Sequence, residues 1–352
     1  MRRSILHNIA IVSVLLFSVV TAAQPTKTDK VIDLEEVVVS GQIEPQSVKK
    51  SVKNVQVITK EQIKGVGATH LGEVLNQYVN LNILPDEGSG KQKISLYGLG
   101  ANYFKVFVDN VPLVSEDGLG VNTDLSQINV DDIERIEIVE GAMGVTHGAN
   151  AVTGIMNIIT KKANRPFVGN VSARTTSRGD QKYALSVGTR QEKFSSLTSA
   201  SFSRRNPYTI RDTKPMTSTF KRPDGTDSTA VDTTRRSFNI KGYETFSIAQ
   251  KFGYDFTDRL SAELTGSFYQ NRLLYTEEMK LHERFRDFTF GGKLNYILNE
   301  TSRLDISYHY DHYYKNDIFP QAGNLTTVKY RDVTNNFRLN YNLLLADRHA
   351  LT

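Results

Sequence analysis

After Arg165-Pro166 the chain becomes a succession of stretches, roughly ten residues each, in which apolar and polar side chains alternate one for one. Leu260, Ala262, Leu264 and Phe268 alternate with Ser261, Glu263, Thr265 and Ser267. Phe288, Phe290, Leu294 and Tyr296 alternate with Thr289, Lys293 and Asn295. The same rhythm recurs at Leu304–Asp311 and Phe337–Leu343, and more weakly at Val168–Thr176, Lys182–Arg190, Phe194–Arg204 and Arg236–Ile248. Successive strand side chains point to opposite faces, so each stretch is a strand with one apolar face. A soluble sandwich buries that face in its core, whereas a membrane barrel turns it to lipid and keeps a polar lumen. The connections favour the barrel. Short turns at Gln191–Glu192, Thr257–Asp258 and Asn299–Ser302 interleave with longer loops at Arg205–Arg235, Glu277–Arg286 and Asp317–Tyr330, as outer-membrane barrels require. Tyr and Phe also gather towards the strand ends. We count about eight strands, and Asp347–Thr352 reads as a further turn. The wall is therefore expected to continue.

The N-terminus explains how such a wall reaches an outer membrane. Met1-Arg2-Arg3 is positive, Ile9–Val20 is apolar, and Thr21-Ala22-Ala23 supplies small residues. That is a secretory signal peptide, with cleavage expected after Ala23. Its apolar run is too short for a spanning helix, which needs about 20 residues. The chain contains no Cys, which excludes a disulfide framework or thiolate metal site. Its net charge of +5 is spread over 352 residues without a basic stripe, so no nucleic-acid partner is expected.

Between these parts, residues 24–163 read as mixed α/β. Thr59-Lys60-Glu61-Gln62 is a capping box, and Thr69 is a candidate cap for a helix through Leu71, Val74, Leu75 and Tyr78. Strands are expected at Ile94–Leu96, Lys105–Val108 and Ile133–Val139. Asp109-Asn110 falls between Val108 and Val111, where a tight hairpin needs residues tolerant of positive φ.

Three segments resemble the TonB-dependent outer-membrane receptor family. Leu34-Glu35-Glu36-Val37-Val38-Val39-Ser40-Gly41 is similar to its TonB box, and Val106–Leu113 to its plug hairpin. Asp131–Lys162 is similar to the plug signature that precedes the first barrel strand. The resemblance is specific over about 35–162 and architectural beyond. The chain departs from the family where Arg-Gly becomes Tyr97-Gly98, where Arg-Gly-Pro becomes Glu140-Gly141-Ala142, and where a double Gly becomes Thr153-Gly154. The losses of positive charge bear on how the plug sits against barrel acids.

The fold class the resemblance implies is an antiparallel membrane β-barrel, incomplete in this chain and of about 22 strands when complete, with an N-terminal α+β plug. Residues 1–23 are the signal peptide, 24–50 the segment with the box, 51–163 the plug, and 164–352 the N-terminal part of the barrel. The resemblance implies that inner-membrane energy reaches the plug through a TonB-type partner pulling on Glu35, Glu36, Val37, Val38, Val39 and Ser40. A short, β-branched peptide can add as an edge strand to a partner sheet; Val37–Val39 would otherwise serve as the first plug strand. The plug apices Asp86–Lys91, Gly98–Tyr103 and Ser115–Asn122 are expected to meet ligand. Their candidate contacts are Ser89, Gly100, Asn102, Tyr103, Ser115, Glu116 and Asp117, with ordinary turn chemistry as the alternative.

The cargo implied is a scarce large nutrient: a ferric siderophore, haem or cobalamin. Asp124-Leu125-Ser126-Gln127 looks somewhat like cobalamin receptors. A glycan receptor or a signal-transducing receptor would need an extra N-terminal domain, for which about eleven residues between Ala23 and the box leave no room. The competing class is a passive porin or adhesin-like barrel with a soluble N-terminal domain. No resident cofactor or metal is expected, and the barrel is expected to be monomeric in outer-membrane lipid. His309 and His312, three apart, fall on opposite faces of a strand. His282, in an expected outer loop, is a weak haem-ligand candidate, and His147 is read as structural. Glu35-Glu36 and Asp131-Asp132 are adjacent pairs that point apart, and no nucleophile triad, P-loop or dinucleotide fingerprint occurs, so no catalytic site is expected.

Overall fold

The computed structural model describes residues 54–351, apart from 69, 80, 86–91, 97–98, 101–102, 114–124, 143–150, 178, 213–215, 233–235, 276–281, 320–321 and 346–348. The segments expected to be a signal peptide and a TonB box therefore lie outside the described residues, as does His147.

The first layer is an α+β unit. Its strands are β1 Val55–Thr59, β2 Leu81–Pro85, β3 Gln92–Leu96, β4 Leu99–Gly100, β5 Phe104–Val108, β6 Val111–Pro112, β7 Ile133–Glu140 and β8 Gly154–Thr160. Five form one sheet in the order β1-β7-β8-β5-β6, with β5 and β8 parallel; β2, β3 and β4 form a second. Helices α1 (Lys60–Val66) and α2 (Leu71–Tyr78) lie between β1 and β2. The capping box is present: Gln62 N donates to Thr59 Oγ1, and Thr59 N donates to Gln62 Oε1 at 2.9 Å. The cap of α2 differs from expectation. It falls on His70, whose side chain makes no cap hydrogen bond, and Thr69 lies outside the described residues. Leu71, Val74 and Leu75 pack against Ile58, Val106, Ile136, Ile138, Met156 and Ile158 in one core.

The second layer is a single antiparallel sheet of nine strands, in which sequence neighbours pair except where β11 meets β16. Its strands are β9 Val168–Thr175, β10 Gln181–Gln191, β11 Phe194–Arg205, β16 Gly242–Thr257, β17 Leu260–Leu274, β18 His282–Asn299, β19 Ser302–Phe319, β20 Leu325–Leu345 and β21 His349–Leu351. Between β11 and β16 the expected long loop is built of two hairpin-like pairs: β12 Tyr208–Asp212 with β15 Arg236–Ile240, and β13 Met216–Lys221 with β14 Asp227–Asp232. Two other expected loops are shorter than the sequence suggests. β18 already begins at His282, and β19 and β20 run to Phe319 and from Leu325, so ladder pairing claims polar residues that lack a clear alternation.

Burial decides between sandwich and barrel. Leu264, Phe288, Phe290, Phe337 and Leu339 are 51%, 50%, 47%, 68% and 56% exposed, on the outward phase of their strands. The inward phase carries Lys182, Ser186, Ser199, Asn271, Asp287 and Asp311, all buried. Apolar outside and polar inside is the arrangement of a wall facing lipid. Outward apolar positions run from Leu260 to Phe268 on β17, about 27 Å along the strand at about 3.4 Å per residue. At a strand tilt of about 40° this rises about 20 Å, which lies within an apolar band about 25 Å tall.

Candidate functional site at the plug–barrel interface

The site is built on the β5–β6 hairpin. Asp109 and Asn110 take φ values of 49° and 69°, the left-handed pair of a tight turn that matches strand twist. The turn is fixed from β8. Asp109 Oδ1 accepts from Thr160 N at 2.9 Å and Oδ2 from Thr160 Oγ1 at 2.6 Å. Asn157 closes the other corner: its Oδ1 accepts from Asn110 N at 3.1 Å and its Nδ2 donates to Asn110 Oδ1 at 2.8 Å.

This tip reaches the wall. Lys251 Nζ on β16 donates to Asp109 Oδ2 at 2.5 Å and also bonds Thr160 Oγ1. Lys293 on β18 bonds the Asp109 carbonyl, and Arg338 on β20 the Asn110 carbonyl at 3.5 Å. Burial alone would push the Asp109 carboxyl up; Lys251, Lys293 and the Thr160 hydroxyl outweigh it and hold it at about 2. Further contacts surround the clasp: Lys162 pairs with Glu263, and Lys182 with Asp131 at 2.9 Å. His70 Nε2 meets Tyr243 Oη at 2.9 Å, with the rings edge to face. Burial lowers the His70 pKa below the ordinary value, so its imidazole is neutral at neutral pH.

A cavity of about 200 Å³ lies between this hairpin and the wall, with Val108, Pro112 and Leu113 on one side and Thr265, Thr289 and His309 on the other. The interface is thus polar and incompletely packed. Lys162 is the one exposed partner among these pairs, and its bond to Glu263 contributes up to about 1 kcal/mol; the pairs at Asp109 and Asp131 are more buried, so the plug is seated at several points rather than by one lock.

The sequence-predicted residues are distributed unevenly. Glu35–Ser40, Ser89, Asn102, Ser115, Glu116 and Asp117 lie outside the described residues. Gly100 pairs with Ser95 at the β3–β4 turn. Tyr103 is 45% exposed, and its carbonyl accepts from Val152 N, Thr153 N and Thr153 Oγ1. His309 lines the inner cavity, whereas His312 is on the opposite phase, accepting from Arg331 Nε at 3.0 Å. His282 is the first residue of β18 and not a loop residue. Glu140 accepts from Asn54 Nδ2 at 2.9 Å and does not meet the wall in that bond. In two of the three plug–wall ion pairs among the described residues, the plug supplies the acid and the wall the base. Lys251, Lys293, Glu263, Lys182 and Arg338 were not singled out from sequence as plug contacts. Their signal was available: each is a charge on the polar phase of an alternating strand.

Comparison with known proteins agrees with this architecture. Residues 47–155 match the family TonB-dependent Receptor Plug Domain. The Vitamin B12 transporter BtuB of Photobacterium profundum is 29% identical over 142 residues, covering 40% of this chain and 23% of that protein. The iron-regulated outer membrane virulence protein of Vibrio cholerae is 29% identical over 182 residues, 48% of this chain and 27% of that one. Among solved structures, the siderophore receptor PiuA of Acinetobacter baumannii matches with a TM-score of 0.63 at 13% identity, over 88% of this chain and 45% of that one. A mutant of the ferric enterobactin receptor PfeA of Pseudomonas aeruginosa, bound to enterobactin, matches with a TM-score of 0.62 at 16% identity, over 84% and 47%. At these identities the structures establish the fold. The matched region thus spans about a quarter of the curated relatives and under half of the solved structures. The chain carries a TonB-dependent receptor plug domain joined to nine strands of the barrel wall that surrounds such plugs.

Proposed function

We propose that the complete protein is an outer-membrane importer, driven through a TonB-type partner, for a scarce large nutrient of the ferric siderophore, haem or cobalamin class. The observation that carries this reading is the clasp of Asp109, Lys251 and Lys293, which seats a folded plug against a wall that is apolar outside and polar inside. A barrel wide enough for a large ligand leaks unless blocked, and a block must move to let cargo through. A passive porin or adhesin has no use for such a plug, so that alternative is the weaker one. Relatives named for vitamin B12 transport and iron regulation support the cargo class.

In this reading residues 1–23 direct export, 24–50 carry the box, 51–163 form the plug and 164–352 belong to a monomeric barrel. Glu35–Ser40 would pair with the partner's sheet edge, and Ser89, Gly100, Asn102, Tyr103, Ser115, Glu116 and Asp117 would face the ligand. The test uses cells producing the full-length gene product and offered labelled cobalamin, haem and ferric siderophores in turn. One cargo should accumulate, and an uncoupler should stop it. Val38→Pro, which removes a backbone donor and fixes φ, should abolish accumulation while surface binding persists. Accumulation indifferent to both the uncoupler and Val38→Pro would overturn the proposal in favour of a passive pore.

A further inference from the structure

The outward phase of the wall changes character along the strands. On β17 it reads Leu260, Ala262, Leu264, Gly266 and Phe268, then Gln270 and Arg272. On β18, running the other way, it reads Tyr296, Leu294, Gly292, Phe290 and Phe288, then Arg286 and Arg284. The ladder aligns these steps: Phe268 is opposite Phe288, Gln270 opposite Arg286, and Arg272 opposite Arg284. Three arginines therefore stand on adjacent strands immediately beyond the apolar band. They lie at the end carrying the long connections, which is the outer side of such a barrel.

Like charges directly opposite one another on a sheet face are destabilising unless they are neutralised. Among the described residues none of Arg272, Arg284 and Arg286 forms an ion pair with a carboxylate. Glu244, opposite Arg272 in the ladder, lies 4.0 Å from Arg204 instead. The Nε groups of Arg272 and Arg284 are buried and have no hydrogen-bond partner, while the two side chains as wholes keep part of their surface exposed. Arg286 is held in place, with Nε donating to Gln270 Oε1 at 2.9 Å and Nη1 to Tyr314 Oη at 3.1 Å, its guanidinium 5.9 Å from the Tyr314 ring centre. Its remaining N–H groups are free to meet an anion. Guanidinium groups suit phosphate because they can donate two parallel hydrogen bonds.

From this geometry we propose that Arg272, Arg284 and Arg286 bind the phosphate of an outer-leaflet lipid headgroup, fixing the barrel's depth in the membrane. The height, the outward direction and the uncompensated charge select a lipid over a soluble anion, since Phe268 and Phe288 directly beneath offer acyl chains an apolar surface. The inference rests on the membrane reading of the wall, which heat-resistant folding of the full-length protein in detergent micelles tests separately.

The experiment is thermal unfolding of that full-length protein in micelles doped with phosphorylated lipid A, with its dephosphorylated form, or with sodium phosphate at equal phosphate concentration. Phosphorylated lipid A should raise the melting temperature of the wild type by about 5 °C, and the other two additions should leave it unchanged. The triple variant R272Q/R284Q/R286Q should fold and lose that rise, whereas neutralising the inward-facing Lys315 should retain it. An equal rise in the triple variant would overturn the proposal. So would an equal rise with sodium phosphate, which would mark a free-anion site.

Discussion

Asp109 shows how one residue type serves two purposes. It tolerates positive φ at the turn, and its carboxylate receives Lys251 from the wall. Because its folded pKa is about 2 against an ordinary 3.8, its contribution is complete above about pH 4 and is lost as pH falls through about 2. The depression is worth on the order of 2 kcal/mol. Urea titrations of plug release should therefore give a constant midpoint from pH 7 to 5 and a falling one between pH 4 and 2. D109N should remove that fall and lower the neutral-pH midpoint; an unchanged midpoint would remove Asp109 from the clasp. Gly154 is the other position where one atom decides. Its φ is 153°, and a Cβ there would lie 2.5 Å from the Val139 carbonyl oxygen. Gly154→Ala should cost the plug about 2 kcal/mol or more in denaturant unfolding. Its neighbour Thr153, which stands where the family has Gly, uses its hydroxyl to donate to the Tyr103 carbonyl at 2.8 Å. One glycine of the pair is needed for its backbone, and the other position accepts a side chain.

At the scale of elements, what was legible in the sequence was what local physics determines. The capping box at Thr59–Gln62, the turn at Asp109-Asn110 and the strands at 105–108 and 133–139 were all readable, because each rests on residues within a few positions of one another. Thr59→Ala should cost about 1 kcal/mol of plug stability, read as a lower unfolding midpoint. No change would mean that α1 is held by its packing through Ile63 alone. The strand ends were less legible. β18 and β19 extend through polar sequence that alternation does not mark, because cross-strand hydrogen bonding needs no particular side chain. Strands β12, β13 and β14 fall inside what reads as one long loop; the described side chains of β13 and β14 are mostly exposed and carry no burial rhythm. The plug contacts of Lys251 and Lys293 could be placed on the inward phase but not paired, since their partner lies 142 and 184 residues away.

For the whole molecule, the outward apolar face and the inward polar face are two halves of one argument. Phe290, within the apolar band and one position from its middle, should not tolerate charge. Phe290→Lys should cost about 2–4 kcal/mol in folding into lipid, whereas Ser267→Lys on the lumen side should fold as well as the wild type. Equal effects of the two would deny that the wall faces lipid. The central claim is that a folded plug closes this barrel and is held by polar contacts that can rearrange. The most direct measurement is the ionic conductance of the full-length protein in a planar lipid bilayer, compared with a variant lacking residues 54–160. The intact protein should hold the barrel closed, and the variant should show a large, steady conductance. A steady conductance of the same size in both would contradict it, leaving a passive pore with an N-terminal domain that does not close it.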